Sequence, residues 1–195
     1  MPAGGIHLCV GASVADSLNI DKSMSFFVGT VCADSWRNSS STKMGTHFLS
    51  MESSLDYDYD FFYNKYLNYM NYEFVVGYLI HLITDKFWYV NNYVTSNISV
   101  DDYNDLKKLC SRLVKFYNIP KLELPDDLFN PIQELDSSGI IYTIDYLNNV
   151  NYGSGSSKFD LDELIYYIES TSSFVVSEIN RLYNSNVKCL KKVIL

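Results

Sequence analysis

Three histidines occur in this chain, and each stands inside or beside an apolar stretch. His7 lies in Gly-Gly-Ile-His-Leu-Cys-Val, His47 in Gly-Thr-His-Phe, and His81 in Tyr-Leu-Ile-His-Leu-Ile-Thr-Asp. Imidazoles and carboxylates bind divalent cations and move protons near neutral pH, so such groups in apolar surroundings are candidates for a site. Asp85 follows His81 by four residues, and on a helix positions i and i+4 share a face. A carboxylate on a buried helix costs on the order of several kcal/mol unless it is neutralised, paired or bound to a cation. Asp34 ends the apolar run Phe26-Phe27-Val28-Gly29-Thr30-Val31-Cys32-Ala33, and His47 follows it in the next segment. If His7, Asp34, His47, His81 and Asp85 met at one point, they would form a nitrogen and oxygen site suited to one or two zinc ions, with manganese or iron as alternatives.

A second reading competes with the first. A lone histidine on an apolar face commonly bonds a backbone group, and an internal hydrogen bond would satisfy His81 and Asp85 together. What favours a joint site is that every histidine in the chain has the same setting. Two further groups carry open alternatives. Arg37 could hold a phosphate bidentately or be a solvated loop arginine. Asp56, Asp58 and Asp60 alternate with tyrosines and could form an acidic lip or a further metal contact, or could simply favour the positive end of a helix.

Helices must position these groups. Leu106, Leu109, Cys110, Leu113 and Phe116 recur at three- and four-residue intervals, predicting a helix over 101–117, with Asp101 as its N-cap and Pro120 enforcing its end. Leu161, Leu164, Ile165, Ile168, Val175, Ile179 and Leu182 predict another over 160–183, weakened at the Ser-Thr-Ser-Ser run 170–173. The segment 72–94 is apolar almost all round, as a helix buried on every side would be. Shorter helices are expected at about 5–18, 56–70 and 140–149. Residues 38–42 and 152–157 read as loops, and 119–131, with three of the four prolines, as irregular. The fold class expected is all-α, a single-domain multi-helix bundle over 1–195. The candidate site falls in 1–95, and 96–195 forms a helical remainder without motifs.

Composition narrows the partners. Fifteen Lys and Arg against 23 Asp and Glu leave a net charge of −8, which argues against a nucleic-acid patch or an anionic membrane surface. Phosphate-bearing substrates stay open, because a bound metal reverses the local sign. With 47% hydrophobic and 19% charged residues, the composition is that of a globular chain. The most apolar run, 74–83, is about half the ~20 residues a spanning helix needs. No Lys or Arg precedes Val14, so the start makes a poor signal peptide. Four cysteines without a CxxC pair suit buried, reduced thiols, and a cytoplasmic location is expected.

With these residues on view, the chain resembles the zinc-dependent phospholipase C family in its broad sense, which includes P1/S1-type nucleases. The resemblance covers about residues 1–90 and rests on Gly-Ile-His-Leu, Phe-Val-Gly-Thr-Val-Cys-Ala-Asp, Thr-His-Phe and Gly-Tyr-Leu-Ile-His-Leu-Ile-Thr-Asp, the last being the most specific. It implies a phospholipase C/P1 nuclease type of bundle, with zinc held by Asp34, His47, His81 and Asp85. It further implies that Asp85 bridges towards a second ion on His7, and that a small phosphorylated or lipid-derived substrate is hydrolysed by a metal-activated water, with Asp34 orienting it or taking its proton. The chain departs from the family in having no histidine after His81, so the imidazoles of a third site are missing. The expectation is therefore a metal-dependent phosphoesterase. The alternative is a catalytically silent metal- or partner-binding protein on the same scaffold. A helical HD-type phosphohydrolase ranks third, because no His-Asp dipeptide occurs.

Overall fold

The computed structural model describes residues 4–37, 39–50, 57–91, 100–149 and 160–193, with backbone alone at 100–107 and 186–193. Among these residues the structure is helical, and the one extended pairing is an isolated bridge between Leu49 and Tyr57. Eight α-helices follow in order: α1 Gly4–Leu18, α2 Met24–Cys32, α3 Lys43–Thr46, α4 Tyr59–Lys65, α5 Glu73–Val90, α6 Val100–Phe116, α7 Ser137–Asn149 and α8 Leu161–Val193. A 3-10 turn at Ala33–Trp36 continues α2, and another at Leu67–Tyr69 follows α4. The all-α expectation holds. No described helix is long and apolar enough to cross a membrane.

Local chemistry explains where the helices begin and end. The Ser23 hydroxyl caps α2 by accepting from the Phe26 amide at 3.1 Å, and Asp58 caps α4 by accepting from the Phe61 amide at 2.8 Å. Both α1 and α6 end on an asparagine in the left-handed region, Asn19 (φ 54°) and Asn118 (φ 52°). In each case the next amide reaches back across the last turn, Ile20 to the Ala15 carbonyl and Ile119 to the Val114 carbonyl, both at 2.9 Å. Pro120 then stands beyond the end of α6, as the spacing predicts. That helix begins at Val100, so Asp101 lies within its first turn rather than capping it.

Other expectations need adjusting. The apolar run 26–33, for which periodicity names no element, forms most of α2. The helix expected over 56–70 is two short pieces broken at Tyr66. Helix α8 runs unbroken through Ser170–Ser173, because Thr171, Ser172 and Ser173 return their hydroxyls to the carbonyls of Tyr167, Ile168 and Glu169 within the helix. Residues 119–131 are irregular, and the Asn148 amide spans them by bonding both the N–H and the carbonyl of Leu122. The loop expected at 152–157 and the predicted site residue Asp56 lie outside the described residues. Cys9, Cys32 and Cys110 are buried.

The pair that carries the site is α2 against α5. A Cβ placed on Gly29 would lie 2.2 Å from the Phe74 carbonyl oxygen, and one on Gly77 would lie 2.4 Å from that of Phe26. Each glycine therefore lets the partner backbone approach more closely than any side chain permits. Around this crossing runs one contiguous apolar core to which both halves contribute, from Ile6 and Phe26 through Ile80 to Leu113, Ile144, Ile168 and Leu182.

The second half also braces the first directly. Asp136 stands at the head of α7 and accepts from the Ser138 amide at 2.8 Å and from the Ser40 hydroxyl at 2.6 Å, so it ties the loop after Arg37 to α7. Those two serines hold the Asp136 carboxyl below the usual carboxylate range. A depressed pKa means stability that is present above the ordinary value and lost as pH falls through the folded one. Asp136→Asn is expected to lower the melting temperature at pH 7 and to flatten its acid limb. Equal pH dependence of both proteins in thermal melts would contradict this role.

Candidate metal centre

Four elements bring the site together. Helix α5 presents His81 and Asp85 from successive turns, α1 presents His7, the 3-10 turn after α2 presents Asp34, and the end of α3 presents His47. All five predicted ligands meet. Asp85 is central: its Oδ1 lies 3.3 Å from His7 Nε2, and its Oδ2 lies 3.5 Å from His47 Nε2 and 3.7 Å from His81 Nε2. Asp34 Oδ1 approaches His47 Nε2 at 3.6 Å. The rings of His7 and His81 stack nearly parallel, with centroids 3.8 Å apart, and His47 meets His81 edge-on at 5.4 Å. The donor atoms of His7, Asp34 and His81 lie within 4.8 Å of one another, and so do those of His47, His81 and Asp85. His81 belongs to both groups.

The far nitrogens of two imidazoles are anchored, which fixes what their Nε2 atoms can do. His81 Nδ1–H donates to the Thr30 carbonyl at 2.8 Å, leaving Nε2 with a lone pair whenever the ring is neutral. His47 Nδ1 lies 3.0 Å from the Thr46 hydroxyl, which itself reaches towards the Lys43 carbonyl. That arrangement makes the hydroxyl an acceptor from His47 Nδ1–H. Bonds of this kind orient the imidazole ligands of metal sites and raise their basicity. Helix α3 is held in turn by the Tyr78 hydroxyl, which donates to the Thr46 carbonyl.

His47 is the last residue of a tight helix end. Phe48 follows in the left-handed region (φ 50°), the Leu49 amide bonds the Met44 carbonyl and the Phe48 amide bonds that of Gly45, both at 3.1 Å. Glycine is the usual occupant of this position, and a bulky residue there costs about 1–2 kcal/mol. The aromatic ring offsets that cost by packing on Phe62, Tyr66 and Tyr78 at centroid distances of 5.0–6.4 Å.

The donor set fits a divalent cation. His7 Nδ1 and Nε2, Asp34 Oδ1, His47 Nε2, His81 Nε2 and both Asp85 oxygens are buried without a hydrogen-bond partner. So many unpaired polar atoms in one place are costly unless something common to them fills the gap. Burial and the neighbouring His81 push the His7 imidazole down to about 4, so it is neutral at pH 7 and offers a lone pair. Burial alone would raise Asp34 and Asp85. The imidazoles beside them outweigh it, holding Asp34 below the usual carboxylate range and Asp85 well below it, so both are anions. Burial would likewise lower His81, but the Asp85 contact outweighs it and raises that imidazole. Two carboxylates and three imidazoles without a thiolate suit zinc, manganese or iron.

The lesser candidates have contacts of their own. Arg37 is exposed, with its guanidinium 5.4 Å from the Trp36 ring centroid. Asp58 is the cap of α4, and Asp60 pairs with Arg181 of α8 at 2.9 Å; their acidity serves the fold. One residue that pattern reading passes over does belong to the site. Tyr57, 6% exposed, sets its ring 6.1 Å from that of His47. No local pattern singles it out among the 17 tyrosines.

Compared with known protein families, with curated proteins and with solved structures, the chain finds no match.

Proposed function

We propose that this chain is a metal-dependent hydrolase, a phosphoesterase of phospholipase C-like type acting on a small phosphorylated or lipid-derived substrate. The observation that carries the proposal is the cluster of buried, unpartnered nitrogen and oxygen atoms contributed by His7, Asp34, His47, His81 and Asp85. His47, His81 and Asp85 would hold one cation, and Asp85 has a second oxygen turned towards His7, which suits two ions sharing that carboxylate. A divalent cation supplies Lewis acidity, polarising a phosphoryl oxygen and acidifying a water.

The chain's own groups divide the remaining work. Asp34 is the one member of the five with appreciable exposure, 18% of its side chain, and it is ionised. It is therefore the group on the solvent side that can orient a water and accept its proton. His7, His47, His81 and Asp85 are buried and exclude bulk water from the other side. The Thr30 and Thr46 contacts keep two of the imidazoles in the tautomer that presents Nε2. The missing third-site histidines favour a reduced version of the family chemistry.

A second reading has an observation of its own. With four of the five groups buried, the centre could serve as a structural metal site in a protein whose exposed tyrosines and phenylalanines meet a partner. One experiment separates the two. Protein stripped by chelation and reloaded with zinc is screened against phosphodiesters and phosphomonoesters. Turnover that rises with zinc content and falls with Asp34→Asn supports the hydrolase; stoichiometric zinc without turnover on any ester supports the structural reading.

A further inference from the structure

We infer that this centre holds its cations unequally: one is kept on His47, His81 and Asp85 Oδ2, and a second, readily exchanged, on His7 and Asp85 Oδ1. The inference rests on the metal-centre reading above and adds to it a dependence on free metal, since one ion is resident and the other is drawn from solution. The stacked rings divide the imidazoles between the two ions. An imidazole binds a cation in its own plane, along the nitrogen lone pair. His7 and His81 are 4° from parallel with centroids 3.8 Å apart, so a cation in the plane of one lies well above the plane of the other. Close as their nitrogens are, the two serve different ions. His47 meets His81 at 71°, so those two planes intersect and a single cation can stand in both.

The Asp85 carboxylate divides the same way, with Oδ2 3.5 Å from His47 Nε2 and 3.7 Å from His81 Nε2, and Oδ1 3.3 Å from His7 Nε2. Asp34 has a donor atom near both sets, and its contact at 3.6 Å is with His47. Anchoring makes the two sets unequal. His81 Nδ1 is held by the Thr30 carbonyl at 2.8 Å, and His47 Nδ1 lies 3.0 Å from the Thr46 hydroxyl. Both nitrogens of His7 are buried without a hydrogen-bond partner. Its ring must therefore give up freedom of tautomer and orientation when it binds, which the other two have already lost on folding. Outer bonds of this kind typically change metal affinity by about 10–100-fold, because they hold the ligand in its binding orientation.

The test uses the full chain, stripped by chelation, with Co(II) as the probe. Native mass spectrometry counts the ions bound, and competition with a chelator measures each affinity. Two steps are expected, separated by about 10–100-fold. His7→Ala is expected to lose the weak step and keep the tight one. Thr46→Val keeps the side-chain shape but removes the His47 anchor, and is expected to weaken the tight step about 10–100-fold. In the wild type, a single step or two steps of equal affinity overturns the inference, and that titration decides even if neither variant folds. In the folded variants, a weak step that survives His7→Ala, a tight step lost in His7→Ala, or a tight step unchanged in Thr46→Val does the same. All of these leave metal binding itself in place. A wild-type chain that takes up no Co(II) overturns the metal reading and this inference with it.

Discussion

Replacing His81 by alanine is expected to abolish tight metal binding, and with it the metal-dependent rise in melting temperature. His81 is the imidazole shared by both groups of mutually close donors, so its loss breaks both of them. In the wild type, zinc at a hundred times its dissociation constant would stabilise the folded state by about 2.7 kcal/mol, provided the unfolded chain does not bind it. The variant loses that increment. It is destabilised without metal too, because Asp85 loses one of its three neighbouring imidazoles while staying buried. Elemental analysis after dialysis, together with thermal melts with and without zinc, measures both effects. Wild-type zinc stoichiometry in His81→Ala would remove the basis of the metal centre.

Gly77→Ala should be nearly as damaging, although residue 77 is not itself a ligand. The new methyl would sit 2.4 Å from the Phe26 carbonyl oxygen and 3.0 Å from the Thr30 amide nitrogen, both backbone atoms. Alanine is about 1 kcal/mol better than glycine within a helix, but the clash works against it. Overpacking usually costs about 1–3 kcal/mol, and a contact with rigid backbone belongs at or above the top of that range. At about 2–4 °C per kcal/mol for a chain of this size, the net loss is several degrees. The variant also reports on the site. Pushing α5 off α2 stretches the 2.8 Å bond from His81 Nδ1 to the Thr30 carbonyl, so zinc affinity should fall along with stability. Loss of stability with undiminished affinity would mean that this crossing does not set the imidazole.

The two experiments probe different levels of the same arrangement. His81 is a donor, whereas Gly77 sets the distance at which the donor is held. Their common element is α5, whose length places both His81 and Asp85 beyond the glycine contact and in the middle of the core.

Much of this was legible in the order of residues. The apolar stripes of 101–117 and 160–183 specify helices whatever their neighbours, because a periodicity near 3.6 can be buried only that way. The four-residue spacing of His81 and Asp85 fixes their shared face by helix geometry alone. The apolar settings of His7, His47 and Asp34 mark them as groups needing partners. Tertiary structure decided who those partners are. Thr30 lies 51 residues from the His81 it anchors, and nothing local to either announces the bond. Tyr57 is one tyrosine among 17, distinguished only by where the bridge to Leu49 sets it. Asp60 has the same local look as a metal-binding acid, yet Arg181 on a distant helix claims it. Spacing along the chain dictates which side chains share a helix face. Which faces meet depends on how closely two backbones can approach, and here glycines 29 and 77 decide that at a crossing no local pattern specifies.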